Sequence, residues 1–570
     1  MRRCLVRSPR LHAIGLIVCQ FLFVSVPSNL LAADPPKIER LYPPGGQRGT
    51  VVESKLTGTA GDGTPQVWTS RGQLSFDFSE KNDSVTVTIP QDAVPGLHWL
   101  RFYNQHGATE PRPFFVGVIG EASEQEPNNQ LSESKPLTTV DQSPLPLPLT
   151  INGVLEKSED ADMFAVPMTA GQTLVASVEA NDQLGSPMDS VLQLLDDRGT
   201  TIAQNDDDRG LDSQIVHTAT SDGTYHLRLF AFPAAPNSTI KLSAAANYVY
   251  RLTITTGPFV DSIVPAVVNV QDSGDVVVRG WNITEAAATI EDRSQQNLVI
   301  VAKDAALAKT VIAVPHSSLV ETPDQPQALA VPSSLTGVIS DRAEADVYTF
   351  SGTQKQKLTV TTAARALHSH LDPVVTVASA DGKVIKESDD RSKTDLDAEA
   401  AFTIPADGEY RVTIADRFGS GGARYFYALT ISETKPDFSA TLKANHVVLL
   451  AYGKPVEIPV TINRLHGFTD TVEFTVQGLP NGVVCEPVLS EDKNDSKKSV
   501  TLKLVRSEAA GDEAAAAFSG NIQITGRAQQ SNESRFAESS IQNSTQLTAD
   551  LWLTVVEPQP APPSGSSTDP

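Results

Sequence analysis

Two stretches of this chain carry the same three motifs in the same order. The first reads NGVLEKSEDADMFAV (152–166), LLDDRGTTIAQNDDD (194–208) and SDGTYHLRLF (221–230). The second reads TGVISDRAEADVYTF (336–350), ASADGKVIKESDD (378–390) and ADGEYRVTI (406–414). Gly153 and Gly337 lie 184 positions apart, as do Asp162 and Asp346, while the pairs Gly199/Gly382 and Tyr225/Tyr410 are 183 and 185 apart. A duplication at near-constant offset requires one unit to fold twice. A repeated unit without a catalytic signature points to a binding or spacing device before it points to an enzyme.

The unit is made of strands. Short runs with β-branched residues at every second position recur: VTVTIP (85–90), TLVASVEA (173–180), YVYRLTIT (248–255), KLTVTT (357–362), VEFTVQ (472–477), VTLKLV (500–505) and LWLTVV (551–556). Period-two alternation broken by Gly, Pro, Asn and Asp predicts half-buried strands, and hence an all-β chain of serial β-sandwich modules. Helical periodicity is nearly absent; EAAGDEAAAAF (508–518) is interrupted by Gly511 and reads as a loop.

The N-terminus has the order of a secretory signal. Arg2, Arg3, Arg7 and Arg10 precede an apolar run from Ala13 to Val26, and Ala32 and Ala33 follow. This predicts a signal peptide over 1–33 and a secreted, periplasmic or cell-surface protein, with no membrane insertion after cleavage. Cys4 and Cys19 would leave with it. Cys485 is then alone, without an intramolecular disulfide, and reads as a buried small residue. Formal charge is −23, four units more negative without the signal arginines. That argues against nucleic acid or an anionic membrane and suits divalent cations or basic partners.

Turns and strand counts divide the remainder. Residues 36–117 open with IERLYPPGGQRGT (38–50) and close with VPGLHWLRFYNQHGATEPRPFFVG (94–117). That pattern resembles an Ig-like TIG/IPT domain, with Trp68, Trp99 and Phe102 expected in its core. The first repeat covers 118–256. Residues 257–318 look like a trimmed copy of the first domain, the second repeat covers 319–433, and 436–556 resemble an Ig-like sandwich. The Pro/Ser-rich tail 557–570 reads as disordered.

The repeat resembles the bacterial pre-peptidase C-terminal (PPC) domain. The resemblance rests on Glu126-Pro127-Asn128-Asn129, Gly153, Asp160, Asp162, Phe164, Asp206, Asp207, Asp222, Gly223 and Tyr225. It covers about two-fifths of the chain over both copies. It implies a jelly-roll-like sandwich of a kind usually appended to secreted peptidases. Relatives include calcium-dependent collagen-binding modules, in which the linker and the Asp-x-Asp strand supply the calcium ligands.

The residues themselves fit a calcium site. Calcium takes about six to eight oxygens at roughly 2.3–2.6 Å. Glu124, Glu126, Asn128 and Asn129 offer four side-chain oxygen donors in six residues. In an extended segment Glu124, Glu126 and Asn128 point one way, and Asp160 and Asp162 share a strand face. Folding this acidic linker, EASEQEPNN (121–129), against that strand would build an oxygen cage for Ca2+, with Pro127 lowering its ordering cost. In the second copy ETPDQP (321–326) lacks the Asn pair, and Glu344 stands where Asp160 does.

Other clusters read blandly. QNDDDRG (204–210) has Arg209 and Val216 where an EF-hand needs oxygen ligands, so it reads as a turn. His368-Ser369-His370 with Asp372 has weak metal spacing. There is no HExxH, GxSxG or phosphate-cradling loop, and the expectation is a non-enzyme. Two functions remain: a secreted adhesion or binding protein presenting a surface to an extracellular polymer or protein, or a structural spacer or accessory subunit of a secreted hydrolase. Tyr225, Phe230, Phe232, Tyr248 and Tyr250 are the aromatic candidates for a ligand face, although most should be core.

Overall fold

In the computed structural model, residues 34–556 are described, apart from 137–142, 144, 236–240, 272–275, 284–287, 293–296, 323–325, 394, 451–454 and 507–516. The expected signal peptide and tail, and most of the 508–518 loop, lie outside the described residues. Every alternating run quoted above is a strand: for example Ser84–Thr88, Thr173–Glu179, Val249–Thr255 and Leu551–Val555. The described helices are three short pieces, Asn181–Leu184, Arg365–Leu367 and Asp495–Lys497. The chain is all-β, built of serial sandwiches.

The N-terminal module faces the sheet Lys37–Tyr42, Val51–Thr59, Ser84–Thr88, Ser75–Phe78 against the sheet Gly45–Gln47, Arg112–Gly117, Gly96–Asn104, Gln66–Thr69. Ile38, Leu41, Val85, Val87, Leu100, Phe102 and Phe114 fill the space between them. The C-terminal module, from Asp437–Leu442 to Leu551–Val555, encloses its own core around Phe438, Val460, Phe474 and Leu504.

The two repeats share one strand order. In the first, one sheet runs Gly120–Ser123, Leu149–Val154, Val249–Thr255, Thr173–Glu179, Gln214–Thr218. In the second, its counterpart runs Ser318–Val320, Ser333–Val338, Phe426–Glu433, Lys357–Ala363, Glu399–Thr403. The facing sheets correspond in the same way, from Asp162–Met168 and Ala345–Gly352 outward. Even register is kept: Gly153 stands opposite Tyr250, and Gly337 opposite Tyr427. At both glycines the facing tyrosine ring lies where a side chain would be. A Cβ on Gly153 would come within 2.1 Å of Tyr250 Cζ, and one on Gly337 within 2.5 Å of Tyr427 Cζ.

The start of the acidic linker packs on the repeat: Gly120–Ser123 pairs in parallel with Leu149–Val154 as an edge strand. One expectation is corrected. Val249–Thr255 is not half-buried but buried along its whole length. At Arg251 it meets the N-terminal module, the guanidinium sitting 4.7 Å from the Phe115 ring centroid. Arg251 bonds Glu121 through two nitrogens at 2.7 Å each, in an almost fully buried pair.

Modules also meet at the two ends of this arrangement. Trp552 of the C-terminal module receives Tyr103 at 4.8 Å and Trp68 at 6.2 Å between centroids. The first and second repeats join through Arg424, whose guanidinium donates to both oxygens of Asp208 (2.7 and 2.8 Å) and to both of Asp261 (2.9 and 3.1 Å). The described residues accordingly belong to one compact unit. Among the described residues no helix is long and apolar enough to cross a membrane.

Candidate metal centre

The edge strand Gly120–Ser123 carries the chain over the mouth of the first repeat, and the segment after it descends toward the start of Asp162–Met168. That descent brings Glu124, Glu126 and Asp162 together, each offering one oxygen within 4.8 Å of the others. Asp162 is fully buried, Glu124 half-buried and Glu126 exposed, so the cluster runs from the core to the surface. Glu124 is held by the Val154 amide, which donates to Oε1 at 2.6 Å. Glu126 is held by the Asn128 amide, which donates to Oε2 at 3.1 Å.

Asn128 is the fourth member. Its side chain is 4 % exposed. With its amide oxygen inward, that oxygen lies 3.1 Å from Asp162 Oδ1 and 3.3 Å from Glu126 Oε2. With the amide turned over, its nitrogen would donate to both carboxylates instead. Asn129 and Asp160 sit to one side. Asp160 precedes the strand and does not share its face; its Oδ2 accepts from the Glu156 amide at 2.6 Å and closes the 156–160 turn. Its Oδ1 lies 2.6 Å from the Asn129 side-chain amide.

Sequence reasoning missed one member. The Tyr250 hydroxyl reaches Glu124 Oε2 at 2.9 Å and Asp162 Oδ2 at 2.5 Å. One hydroxyl hydrogen serves two carboxylates, so the site is short of positive charge. The signal was present: Gly153 interrupts the apolar strand Leu149–Val154 where only a glycine admits the Tyr250 ring.

The electrostatics follow. Burial, then the neighbouring Glu124, holds the Asp162 carboxyl well above its ordinary range. Burial likewise raises Glu124. Glu126 is raised by burial and by repulsion from Asp160 and Glu156, against the pull of the Asn128 amide. Such a group can bind protons, or a hard divalent cation that satisfies several oxygens at once.

The remaining candidates fall elsewhere. Asp206 and Asp207 of the acidic turn are exposed, while Asp208 takes Arg424. His370 Nε2 lies 3.5 Å from Asp208 and His368 Nε2 3.8 Å from Asp182, so both histidines face carboxylates of the first repeat. Cys485 is half-buried, and burial pushes its thiol up. Tyr225, Tyr248 and Tyr250 are buried, whereas Phe230 and Phe232 are half-buried and pack edge to face at 6.2 Å. A surface groove of about 520 Å³ on the N-terminal module is lined by Thr64, Gln66, Phe76, Asp77, Phe78 and Tyr103, without a histidine or cysteine.

No family model matches this chain. A probable subtilase-type serine protease of Deinococcus radiodurans is 35 % identical over 104 residues, which are 18 % of this chain and 14 % of that protein's length. Among solved structures, the pre-peptidase C-terminal domain of a Bacillus anthracis collagenase aligns at 14 % identity over 20 % of this chain and 99 % of its own, with a TM-score of 0.16. The Bacteroides ovatus glucan-utilisation protein SGBP-B, solved with a mixed-linkage heptasaccharide, aligns at 16 % identity over 54 % and 62 % of the two chains, with a TM-score of 0.16.

Proposed function

We propose that this is an exported, non-catalytic binding protein of serial β-sandwiches in which a calcium ion orders the first PPC-like repeat. The observation that carries the reading is the convergence of one oxygen each from Glu124, Glu126 and Asp162 within 4.8 Å of one another. A calcium ion there would tie the descending segment 124–129 to the sandwich. The same segment continues from the edge strand that contacts the N-terminal module through Glu121 and Arg251. Calcium would therefore stiffen the joint between two modules as well as one repeat. The bound partner is an extracellular polymer or protein.

A second reading is that the chain accompanies a protease as a spacer or accessory subunit. The stretch shared with a probable serine protease favours it.

The test is thermal unfolding of the full chain in millimolar calcium and in chelator, beside Asp162→Asn. Binding only to the folded state at about 100 times Kd adds roughly 2.7 kcal/mol. A calcium-dependent rise that Asp162→Asn removes supports the site. An unchanged transition rejects calcium and leaves the accessory reading ahead.

A further inference from the structure

The second repeat rebuilds the same pocket with one atom more. Glu321 takes the place of Glu124, and its Oε2 accepts from the Val338 amide at 2.9 Å, as Glu124 does from Val154. Asp346 takes the place of Asp162, and Tyr427 that of Tyr250, its hydroxyl donating to Asp346 Oδ2 at 2.6 Å. The residue two beyond the aspartate differs: Phe164 in the first copy, Tyr348 in the second. Both are buried. The Tyr348 hydroxyl bonds the Tyr427 hydroxyl at 2.6 Å and reaches Glu321 Oε1 at 3.3 Å. It also lies 2.9 Å from where a Gly337 side chain would begin, so it fills the centre of the pocket.

We propose that Tyr348 closes the second repeat to divalent cations: its hydroxyl, together with one proton held between Glu321 and Asp346, does the work that a cation does beside Phe164. The contrast between copies rests on the calcium reading of the first; the closure of the second does not. The hydrogen count supports it. The first pocket has one hydroxyl among three carboxylates; the second has two hydroxyls beside Glu321 and Asp346, so one further proton satisfies the group. Glu344, at the position of Asp160, sits to one side as Asp160 does, its Oε2 accepting from the Asp341 amide at 2.7 Å. Among the described residues, the titratable and charged groups facing Asp346 are Glu321, Glu344, Tyr348 and Tyr427. Burial, with repulsion from Glu321 and Glu344, raises its carboxyl to about 7 despite the Tyr427 hydrogen bond.

The experiment uses the full chain with Asp162→Asn, which silences the first pocket, and measures bound calcium by equilibrium dialysis. Wild type against Asp162→Asn decides the first-copy reading. Within the Asp162→Asn background, no ion is expected to bind, and adding Tyr348→Phe is expected to admit one. An ion already bound in Asp162→Asn and removed by Asp346→Asn overturns the proposal. So does failure of Tyr348→Phe to admit one. A second measurement needs no metal. The Asp346 proton is held more tightly folded than unfolded, so its stabilisation is present at low pH and lost as pH rises through about 7. In chelator, the Asp162→Asn chain should melt lower at about pH 8 than at about pH 5.5, and Asp346→Asn should flatten that difference. An unchanged difference overturns the shared proton.

Discussion

Replacing Arg424 by alanine removes a side chain of the second repeat that bonds both Asp208 of the first repeat and Asp261 of the central piece. Its guanidinium makes four bonds of 2.7–3.1 Å and lies 5.4 Å from the Trp281 centroid. The Asp208 and Asp261 side chains are 7 % and 8 % exposed, the Arg424 side chain 20 %. Truncation strips Asp261 of this partner and leaves Asp208 with His370 alone, and breaking a buried pair costs about 3–5 kcal/mol. The cation–π contact adds roughly 0.5–1 kcal/mol. Residual exposure of the arginine lets water reach the orphaned carboxylates, which places the expected loss near 3 kcal/mol. For a unit this large that lowers the transition by roughly 3–5 °C. The assay is calorimetric unfolding of Arg424→Ala, Asp208→Asn and the double variant, read for the transition involving the repeats, since a multi-module chain need not unfold in one step. The cycle should give a coupling of about 1–3 kcal/mol. A loss under about 1 kcal/mol with additive single effects would falsify the clamp, because the pair would then be a solvent-screened surface contact.

Acid should act on the same joint. Burial opposes ionisation of Asp208, but Arg424 and His370 outweigh it and hold the carboxyl below its ordinary value. Its stabilisation is present above that ordinary value and lost as pH falls through the lowered one, and Arg424→Ala should weaken this acid limb of the melting profile, leaving the part due to His370. At the candidate metal centre all three carboxylates are raised, so protons compete with the ion; calorimetric calcium titrations should show affinity weakening as pH falls toward 6. Gly153→Ala must push Tyr250 aside, at a cost of about 1–3 kcal/mol with loss of the calcium response. A Gly153→Ala chain that melts and responds like wild type would show that the ring has room to move. Arg251→Ala leaves Glu121 buried without its partner, and chemical denaturation should show a loss of about 3–5 kcal/mol, with limited proteolysis near 118–123 increasing.

Much of the architecture was legible in residues that act locally. Alternation in TLVASVEA or VTLKLV is a property of the chain itself, because successive side chains leave a strand on opposite faces, and both runs are strands. The duplicated motifs likewise disclosed two copies with one strand order. Spacing also brought out Glu124, Glu126, Asn128 and Asp162. It did not separate them from Asp160 and Asn129, because which neighbour faces a turn and which faces the pocket depends on where Asp162–Met168 begins. Tyr250 was visible only as an apolar aromatic; its hydroxyl gained meaning once the chain between brought it 2.5 Å from Asp162.

The sequence by itself determined the strands, their repetition and the stock of oxygen donors, since these follow from side-chain period and identity. Tertiary structure alone decided the burial of Val249–Thr255 on both faces, the seat of Arg424 between Asp208 and Asp261, and the closure of the second pocket by Tyr348. Each depends on groups far apart in the chain meeting in a space that water leaves. There the cost of an unpaired charge, rather than local preference, selects the arrangement.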